Sequence, residues 1–254
     1  MWDSERWALA LLCAYACVPL TWVAWNALRF PDGWQAWILY VATRLYCGLA
    51  FRWRANRRCP FPEQGPAIII ANHRSPVDPI LVVMNSHLRR TRGRFRVVSF
   101  LIAHEYYAVR GITWINRAMR SIPVARDGRD TKGSRLALER LKAGELVGLF
   151  PEGGIAKSEE LGVANPGVAW LALRSQAPVY PVYIQNAPRA NNMVASFYTF
   201  SRVRVIYGDP IDLSPFYERK LNRTNLQAAA DKLMSELAGL ERTALLRDQP
   251  ADTC

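Results

Sequence analysis

The feature that most restricts the fold is the alternation, from residue 67 onward, of short apolar runs with longer segments of helical periodicity. This alternation is typical of α/β domains, in which helices connect the strands and cover the sheet. We therefore predict an α/β fold with a mixed, largely parallel sheet flanked by helices. The predicted strands are residues 67–71, 96–102, 122–124, 146–150, 179–184 and 202–207.

Three of the predicted helices have recognisable ends. Residues 131–142 place Leu138 and Leu141 one turn apart and are soon followed by Gly144, which suits a helix terminus. Residues 166–176 begin with a proline and end before another. The last helix is predicted to begin near Thr224, where Thr-x-x-Gln matches a capping box. Its apolar face, which we expect to pack on the sheet, consists of Leu226, Ala230, Leu233, Leu237 and Leu240.

The N-terminal part has a membrane-like composition. Residues 7–28 contain no charge, and as a helix they would span roughly 30 Å, about the thickness of a bilayer core. A second apolar stretch carries Arg44 inside it and ends near four arginines at 52–58. Because Arg44 would be costly within a bilayer, we favour a membrane-associated helical hairpin dipping into one leaflet over one true span or a soluble hairpin. The predicted boundaries are 1–58 for these helices and 59–254 for the α/β domain.

The charge balance predicts an anionic partner. The chain has 33 Lys and Arg against 21 Asp and Glu, a net charge of +12. Five arginines at 89–96 form either a solvated loop or a contact with anionic lipid, CoA phosphates or an acidic carrier protein. No nucleic-acid-binding motif accompanies this charge, so we expect no nucleic-acid partner. The three histidines and five cysteines form no ligand pattern, so we expect no metal and no cofactor.

The stretch IIIANHRSPVDP, residues 68–79, runs from a predicted strand into a predicted helix. Asp78 precedes Pro79, and proline suits the first position of a helix. The turn between His73 and Asp78 is long enough to bring the carboxylate beneath the imidazole and hold one ring nitrogen protonated. The alternative is structural, since aspartate before proline is a common helix N-cap. Asp78 can also serve both purposes.

The stretch GLFPEGG, residues 148–154, is the second candidate for chemistry. It reads as an apolar strand that ends in a glycine-containing turn, where backbone N–H groups can approach an anion closely. The sequence contains no Gly-x-Ser-x-Gly elbow and no cysteine beside a histidine, so a nucleophile from the protein is not predicted. A base would then activate a hydroxyl of the substrate itself.

Taken in order, four stretches resemble the motif blocks of the glycerophospholipid acyltransferase family, which includes 1-acylglycerol-3-phosphate and glycerol-3-phosphate acyltransferases. The blocks cover about 115 residues, and together they are far more specific than any one of them. The matching residues are Asn72, His73 and Asp78 in the first block, Arg126 in the second, residues 150–153 in the third and Pro181 in the fourth.

The resemblance implies an O-acyltransferase with His73 as general base and Asp78 as its orienter. A hydroxyl of a lysophospholipid such as 1-acylglycerol-3-phosphate would attack the thioester of acyl-CoA or acyl carrier protein, with no acyl-enzyme. This chemistry is reasonable because a thioester is already activated, whereas an alcohol is a poor nucleophile until a base takes its proton.

The resemblance also implies a set of substrate-binding residues. Arg126 would bind an acceptor phosphate, for which a planar, permanently charged guanidinium is well suited. Glu152, Gly153 and Gly154 would shape the acceptor pocket, and Asn72 is assigned to substrate binding with them. We also expect amides of the glycine turn to assist the developing oxyanion.

Two departures from the family pattern concern the acceptor. Many members continue the third block with Thr-Arg-Ser, whereas residues 154–156 here are Gly-Ile-Ala, which leaves Lys157 as the replacement for a missing arginine. Arg120 stands where a glycine is frequent, and we expect it to alter the acceptor pocket. The alternatives are therefore a different lipid acceptor or a catalytically silent lipid-binding scaffold. We expect association with membrane lipids, with the catalytic domain on the cytoplasmic side.

Overall fold

Seven strands form a single sheet in the computed structural model, which describes residues 2–83, 95–125, 131–156, 158, 160–190 and 192–246. Neighbouring strands are parallel except β6 and β7, which confirms the predicted mixed, largely parallel sheet. The strand order is β1-β7-β6-β2-β5-β3-β4. The strands are β1 Arg54–Ala55, β2 Ala67–Ala71, β3 Val98–Ala103, β4 Ile122–Val124, β5 Leu146–Leu149, β6 Val179–Gln185 and β7 Arg204–Tyr207.

Helices cover both faces of this sheet. They are α1 Trp2–Leu28, α2 Trp34–Ala50, α3 Asp78–Val83, α4 His104–Tyr107, α5 Thr113–Ala118, α6 Thr131–Lys142, α7 Pro166–Ser175, α8 Met193–Tyr198, α9 Ser214–Tyr217 and α10 Arg223–Leu246. The helix predicted for residues 131–142 is confirmed as α6. The end of α7 lies one residue before its predicted limit, and α10 begins one residue before Thr224. The residue that caps the start of α10 is not the predicted one. The side chain of Asn222 accepts the Asn225 N–H at 2.9 Å, so the predicted capping box at Thr224 is wrong.

The central strand β2 explains why the sheet is buried on both faces. Its sequence, Ala-Ile-Ile-Ile-Ala, is apolar at every position and 0% exposed, as expected for a parallel strand covered on both sides. Ile68 and Ile70 pack with α6, α7 and α10, whereas Ile69 and Ala71 pack with α2 and α3. The alternation follows from the opposite directions of successive side chains along a strand.

The shortest strand, β1, was not predicted. Arg54 and Ala55 pair in parallel with Arg204 and Val205 of β7 at the edge of the sheet. A two-residue strand within an arginine-rich segment has no periodicity from which it can be predicted. It lies before the boundary predicted at residue 58, and the division into 1–58 and 59–254 stays a prediction.

The two N-terminal helices differ in their surroundings. Within α1, residues 4–28 are long and apolar enough to cross a membrane, judged by length and composition alone. Most of its large apolar side chains are exposed, Tyr15 by 83% and Leu12 by 72%. In contrast, α2 buries one side, including Trp37, Tyr40 and Cys47, in the same core that covers Ile69. Thus α2 is part of the packed structure, while α1 presents its apolar surface outward.

An aromatic stack joins this helical pair to the sheet. The ring of Phe95 lies between Phe30 and Tyr40, with centroid distances of 4.6 and 4.0 Å. Stacked rings of this kind contribute about 0.5–1.5 kcal/mol beyond the area they bury. The turn between α1 and α2 is therefore held against the chain segment that leads into β3.

Arg120 strengthens the same connection. Its guanidinium lies 3.0 Å from Asp32 in the α1–α2 turn and 3.1 Å from Glu145 before β5. Its backbone φ is +52°, in the left-handed region that favours glycine. The side chain ties the two segments together through these ion pairs.

Candidate active site

His73 and Asp78 lie together at the carboxyl end of β2. His73 Nδ1 is 2.9 Å from Asp78 Oδ2, and the two side chains are 15% and 0% exposed. An ionised carboxylate can only accept a hydrogen bond, so Nδ1 carries the proton and Nε2 retains a free lone pair. The pair thus has the chemistry of a base and its orienting group.

Backbone N–H groups hold the Asp78 carboxylate in place. Its Oδ2 accepts the N–H of Arg74 at 2.6 Å and that of Ser75 at 2.7 Å. These donors precede Asp78, so its carboxylate caps the turn before α3, and the predicted capping of the following helix is wrong. Burial raises the pKa of the Asp78 carboxyl, while the hydrogen bonds from His73, Ser75 and Arg74 oppose that rise. Within the described part of the chain, Oδ1 is buried and receives no hydrogen bond.

An aromatic layer supports the imidazole from one side. The ring of His73 stacks on Phe150, with centroids 3.9 Å apart and an interplanar angle of 12°. Phe150 in turn stacks on Phe100 of β3 at 5.3 Å. Phe100 is the register partner of Gly148, and a Cβ on that glycine would lie only 2.6 Å from the ring. No motif in the sequence indicates Phe100, and a glycine within an otherwise apolar strand is the signal of such close packing.

Glu152 connects the third motif block to the first. Its Oε1 accepts the backbone N–H of His73 at 3.2 Å, and its Oε2 accepts the N–H of Gly162 at 3.3 Å. The N–H of Ala156 donates to the His73 carbonyl at 2.8 Å. The third block therefore lies directly beside His73, and its carboxylate is engaged with backbone groups.

The two glycines after Glu152 have different surroundings. Gly153 has a φ of +74°, which the turn requires, and its N–H donates to the carbonyl of Phe150 at 3.0 Å. That amide is already engaged, so it is a poor oxyanion donor in this conformation. A Cβ added at Gly154 would meet nothing within 4 Å, so space is open beside that residue.

Asn72 is completely buried, and both polar atoms of its side chain bond the backbone of Ile184. Its Nδ2 donates to the carbonyl at 3.0 Å, and its Oδ1 accepts the N–H at 2.7 Å. The side chain therefore couples the end of β2 to the end of β6 and is not open to solvent. Pro181 of the fourth block also lies in β6, where it is the register partner of Ile70.

Arg74 is a second residue that sequence analysis overlooked. It is 6% exposed; its Nη1 donates to the carbonyl of Ser158, and its Nη2 lies 3.9 Å from Glu241 of α10. Glu241 also accepts the hydroxyl proton of Tyr183 at 2.9 Å. A buried guanidinium thus links the turn between His73 and Asp78 to the last helix.

Two predicted binding residues, Arg126 and Lys157, lie outside the described residues, as do four of the five arginines at 89–96. The fifth, Arg96, donates to the carbonyls of Pro62, Gly65 and Gly144. Among the described residues, no three His, Cys, Asp or Glu side chains form a metal-binding group. The described side chains thus offer a base, its orienting carboxylate and an aromatic support.

The chain is similar to several known proteins. A family model described as Acyltransferase matches residues 54–185, just over half of the chain. Human 1-acyl-sn-glycerol-3-phosphate acyltransferase beta is 28% identical over 164 residues, which are 64% of this chain and 56% of the human protein. The crystal structure of a 1-acyl-sn-glycerophosphate (LPA) acyltransferase from Thermotoga maritima superposes with a TM-score of 0.65 at 17% identity, covering 99% of this chain and all of the other. That structural likeness supports the fold.

Proposed function

Since this chain belongs to the acyltransferase family, we propose that it moves a fatty acyl group from an acyl thioester to a hydroxyl of a lysophospholipid such as 1-acylglycerol-3-phosphate. The observation that carries the proposal is the 2.9 Å contact between His73 Nδ1 and the buried Asp78 carboxylate. Placed at the end of a strand and partly open to solvent, the imidazole is suited to take a proton from a bound alcohol.

In the proposed reaction His73 acts as general base. The acceptor oxygen attacks the thioester carbonyl carbon while the hydroxyl proton passes to Nε2. The C–S bond then breaks, and the proton is delivered to the leaving thiolate. Asp78 keeps Nδ1 protonated and stabilises the imidazolium that forms, as in other His-carboxylate pairs. Either acyl-CoA or acyl carrier protein can supply the thioester.

The other predicted site residues divide into two proposed roles. Asn72 and Glu152 position His73, because their polar groups are engaged with backbone atoms around it. We assign acceptor binding to Arg126 and Lys157, whose positive charges suit a phosphate, and to the open turn at Gly154. A backbone amide of that turn is proposed to assist the oxyanion.

Membrane association is part of the proposal. The exposed apolar surface of α1 supports it, because a lysophospholipid acceptor and a long acyl chain reside in the bilayer. The arginines at 52–58 follow the two N-terminal helices, so we place the catalytic domain on the cytoplasmic side. Protease protection of oriented membrane vesicles would test that side directly.

A matrix of acyl donors and lipid acceptors tests the function. Purified protein in detergent would be given acyl-CoA or acyl carrier protein with each of several lysophospholipids, and both free thiol and lipid product would be measured. His73→Ala is expected to lower kcat by about 100-fold or more, since a general base contributes that much. His104→Ala is the matched control, because His104 is exposed at the start of α4 and should leave the rate unchanged.

The outcomes separate the alternatives. Normal turnover by folded His73→Ala would refute His73 as the base. Lysolipid binding without thioester consumption for every donor and acceptor would favour a silent lipid-binding scaffold instead. If product forms only with acceptors that lack a phosphate monoester, the protein is still an acyltransferase, but its acceptor is a different lipid.

A further inference from the structure

The topology places more than the catalytic pair at the carboxyl edge of the sheet. Strands β2 and β6 are parallel, so β6 ends at Gln185 on the same edge as His73. Strand β7 is antiparallel to β6 and begins there, with Arg204 opposite Gln185. Strand β1 runs parallel to β7, with Arg54 beside Arg204. The starts of β1 and β7 therefore share one edge with the active site.

The segment between β6 and β7 carries several exposed apolar side chains. The exposed fractions are 65% for Val194, 78% for Tyr198 and 80% for Phe200. The connecting loop is held to the catalytic turn, since the Ser75 hydroxyl donates to the carbonyl of Pro188 at 2.5 Å. The segment with these side chains is therefore linked by a hydrogen bond to the turn that follows His73.

The same segment lies against the end of α2. The hydroxyl of Tyr46 donates to the carbonyl of Phe197, and the N–H of Ser201 donates to the carbonyl of Ala50 at 3.3 Å. On α2, Leu45 and Leu49 are 64% and 79% exposed. A cavity of about 310 Å³ lies beside them, lined by Arg44, Leu45, Cys47, Gly48, Leu49 and Trp53. The exposed apolar side chains of the two segments thus lie on neighbouring parts of the structure.

Exposed arginines flank these side chains. Arg52 and Arg54 follow α2, and Arg202 and Arg204 follow the apolar segment. An apolar and aromatic surface beside arginines suits the boundary between acyl chains and anionic headgroups. We define the edge patch as Leu45, Leu49, Val194, Tyr198 and Phe200 with Arg52, Arg54, Arg202 and Arg204.

We propose that the edge patch docks on an anionic bilayer as a membrane contact additional to α1. The apolar members enter the acyl boundary, and the arginines bind lipid phosphates. The patch is continuous with α2, next to the helix proposed to enter the membrane, and its charge is complementary to anionic lipid. This contact turns the catalytic edge toward the headgroup layer. The inference rests on the proposed membrane association and not on the proposed reaction.

Hydrogen exchange on the full chain in lipid nanodiscs tests the contact without relying on activity. One set of nanodiscs contains phosphatidylcholine alone, and the other also contains phosphatidylglycerol. We expect amides at 193–201 to exchange more slowly when the anionic lipid is present. Residues 214–222 follow Ile211, which pairs with Val179 at the start of β6, so they lie toward the opposite end of the strands and should exchange equally in both. Equal exchange at 193–201 in the two lipids would overturn the proposal.

A pair of double variants tests the apolar members. Tyr198→Ser with Phe200→Ser is expected to lower turnover of a long-chain acceptor in vesicles while leaving that of a short-chain, water-soluble acceptor unchanged. The control is Tyr217→Ser with Leu221→Ser, which removes an exposed tyrosine and leucine that lie toward the opposite end of the strands. Equal loss with both acceptors, or no loss with either, would contradict bilayer docking.

Charge removal tests the arginines and distinguishes a carrier protein from a membrane. Arg52→Gln with Arg202→Gln should weaken the stimulation by phosphatidylglycerol, by up to about fivefold for each arginine, because one such charge contributes about that factor near an anionic surface. If the variant instead loses turnover only when acyl carrier protein is the donor, and the vesicle lipid has no effect, the patch binds the carrier protein and not the membrane. If the chain consumes no thioester, the exchange experiment still decides the docking.

Discussion

The support beneath His73 predicts a large effect from one added methyl group at Gly148. In Gly148→Ala the new Cβ would lie 2.6–2.8 Å from three ring atoms of Phe100. Non-bonded carbon atoms prefer about 3.5–4.0 Å, so the ring must move by about 1 Å. Phe100 is 7% exposed and stacks on Phe150, and the imidazole of His73 stacks on the same Phe150 ring. The displacement is therefore transmitted toward the base.

Two magnitudes follow from this geometry. Overpacking of a buried site costs about 1–3 kcal/mol of unfolding free energy. A misplacement of about 1 Å at a reacting group can lower the rate by about 100-fold, so we expect kcat to fall by about tenfold to 100-fold with little change in KM. The effect on kcat is expected because the Phe100–Phe150 pair supports the imidazole of His73.

The assay combines denaturation of the detergent-solubilised protein with kcat per folded molecule. Gly239→Ala in α10 is the control, because the nearest atom to its new Cβ is 3.9 Å away. There alanine should raise helix stability by up to about 1 kcal/mol and leave kcat unchanged. Both variants make the same chemical change at different distances from the aromatic layer.

A double-mutant cycle gives the decisive comparison. Phe100→Leu replaces the ring with which the Cβ of Gly148→Ala would clash by a smaller side chain. The double variant should therefore be more stable than the sum of the two single effects predicts. Strict additivity would show that the two positions do not clash. A normal kcat for folded Gly148→Ala would refute the view that the stack positions His73.

Three further predictions concern single residues. The pKa of Asp78 is raised in the folded state, so the folded chain binds more protons at this carboxyl than the unfolded chain does. The free energy of unfolding should therefore fall as the pH rises from 3.8 through the folded-state pKa. Asp78→Asn should flatten this slope in denaturation curves and lower activity by removing the orienter of His73; an unchanged slope would contradict the assignment. Arg120→Ala should be less stable than Arg120→Gly in thermal denaturation, because both lose the ion pairs but only alanine retains the strain of a positive φ; the opposite order would contradict it. Asn72→Ala should cost about 2–4 kcal/mol in chemical denaturation, since it leaves two buried groups of Ile184 unpaired, and a cost near zero would refute the clamp.

The local pattern of the sequence was sufficient for most elements near the site. The apolar run of β2, the helix α6 and the strand β5 are predictable because their signals lie within a few neighbouring residues. The contact between His73 and Asp78 was also within reach, because both residues belong to one short turn. Asn72, in contrast, bonds Ile184, a residue far along the chain that no turn could bring near.

Tertiary structure decided the contacts that give this site its character. Phe100 lies beneath Phe150 because β3 is the neighbour of β5, an order that strand periodicity does not encode. Arg120 reaches the α1–α2 turn for a similar reason, since helix packing brings distant segments together. By itself, the sequence determined the family blocks, the turn between His73 and Asp78 and the apolar N-terminus, because these are local. The aromatic support and the exposed surface at the catalytic edge depend on strand order and packing, which only the folded chain establishes.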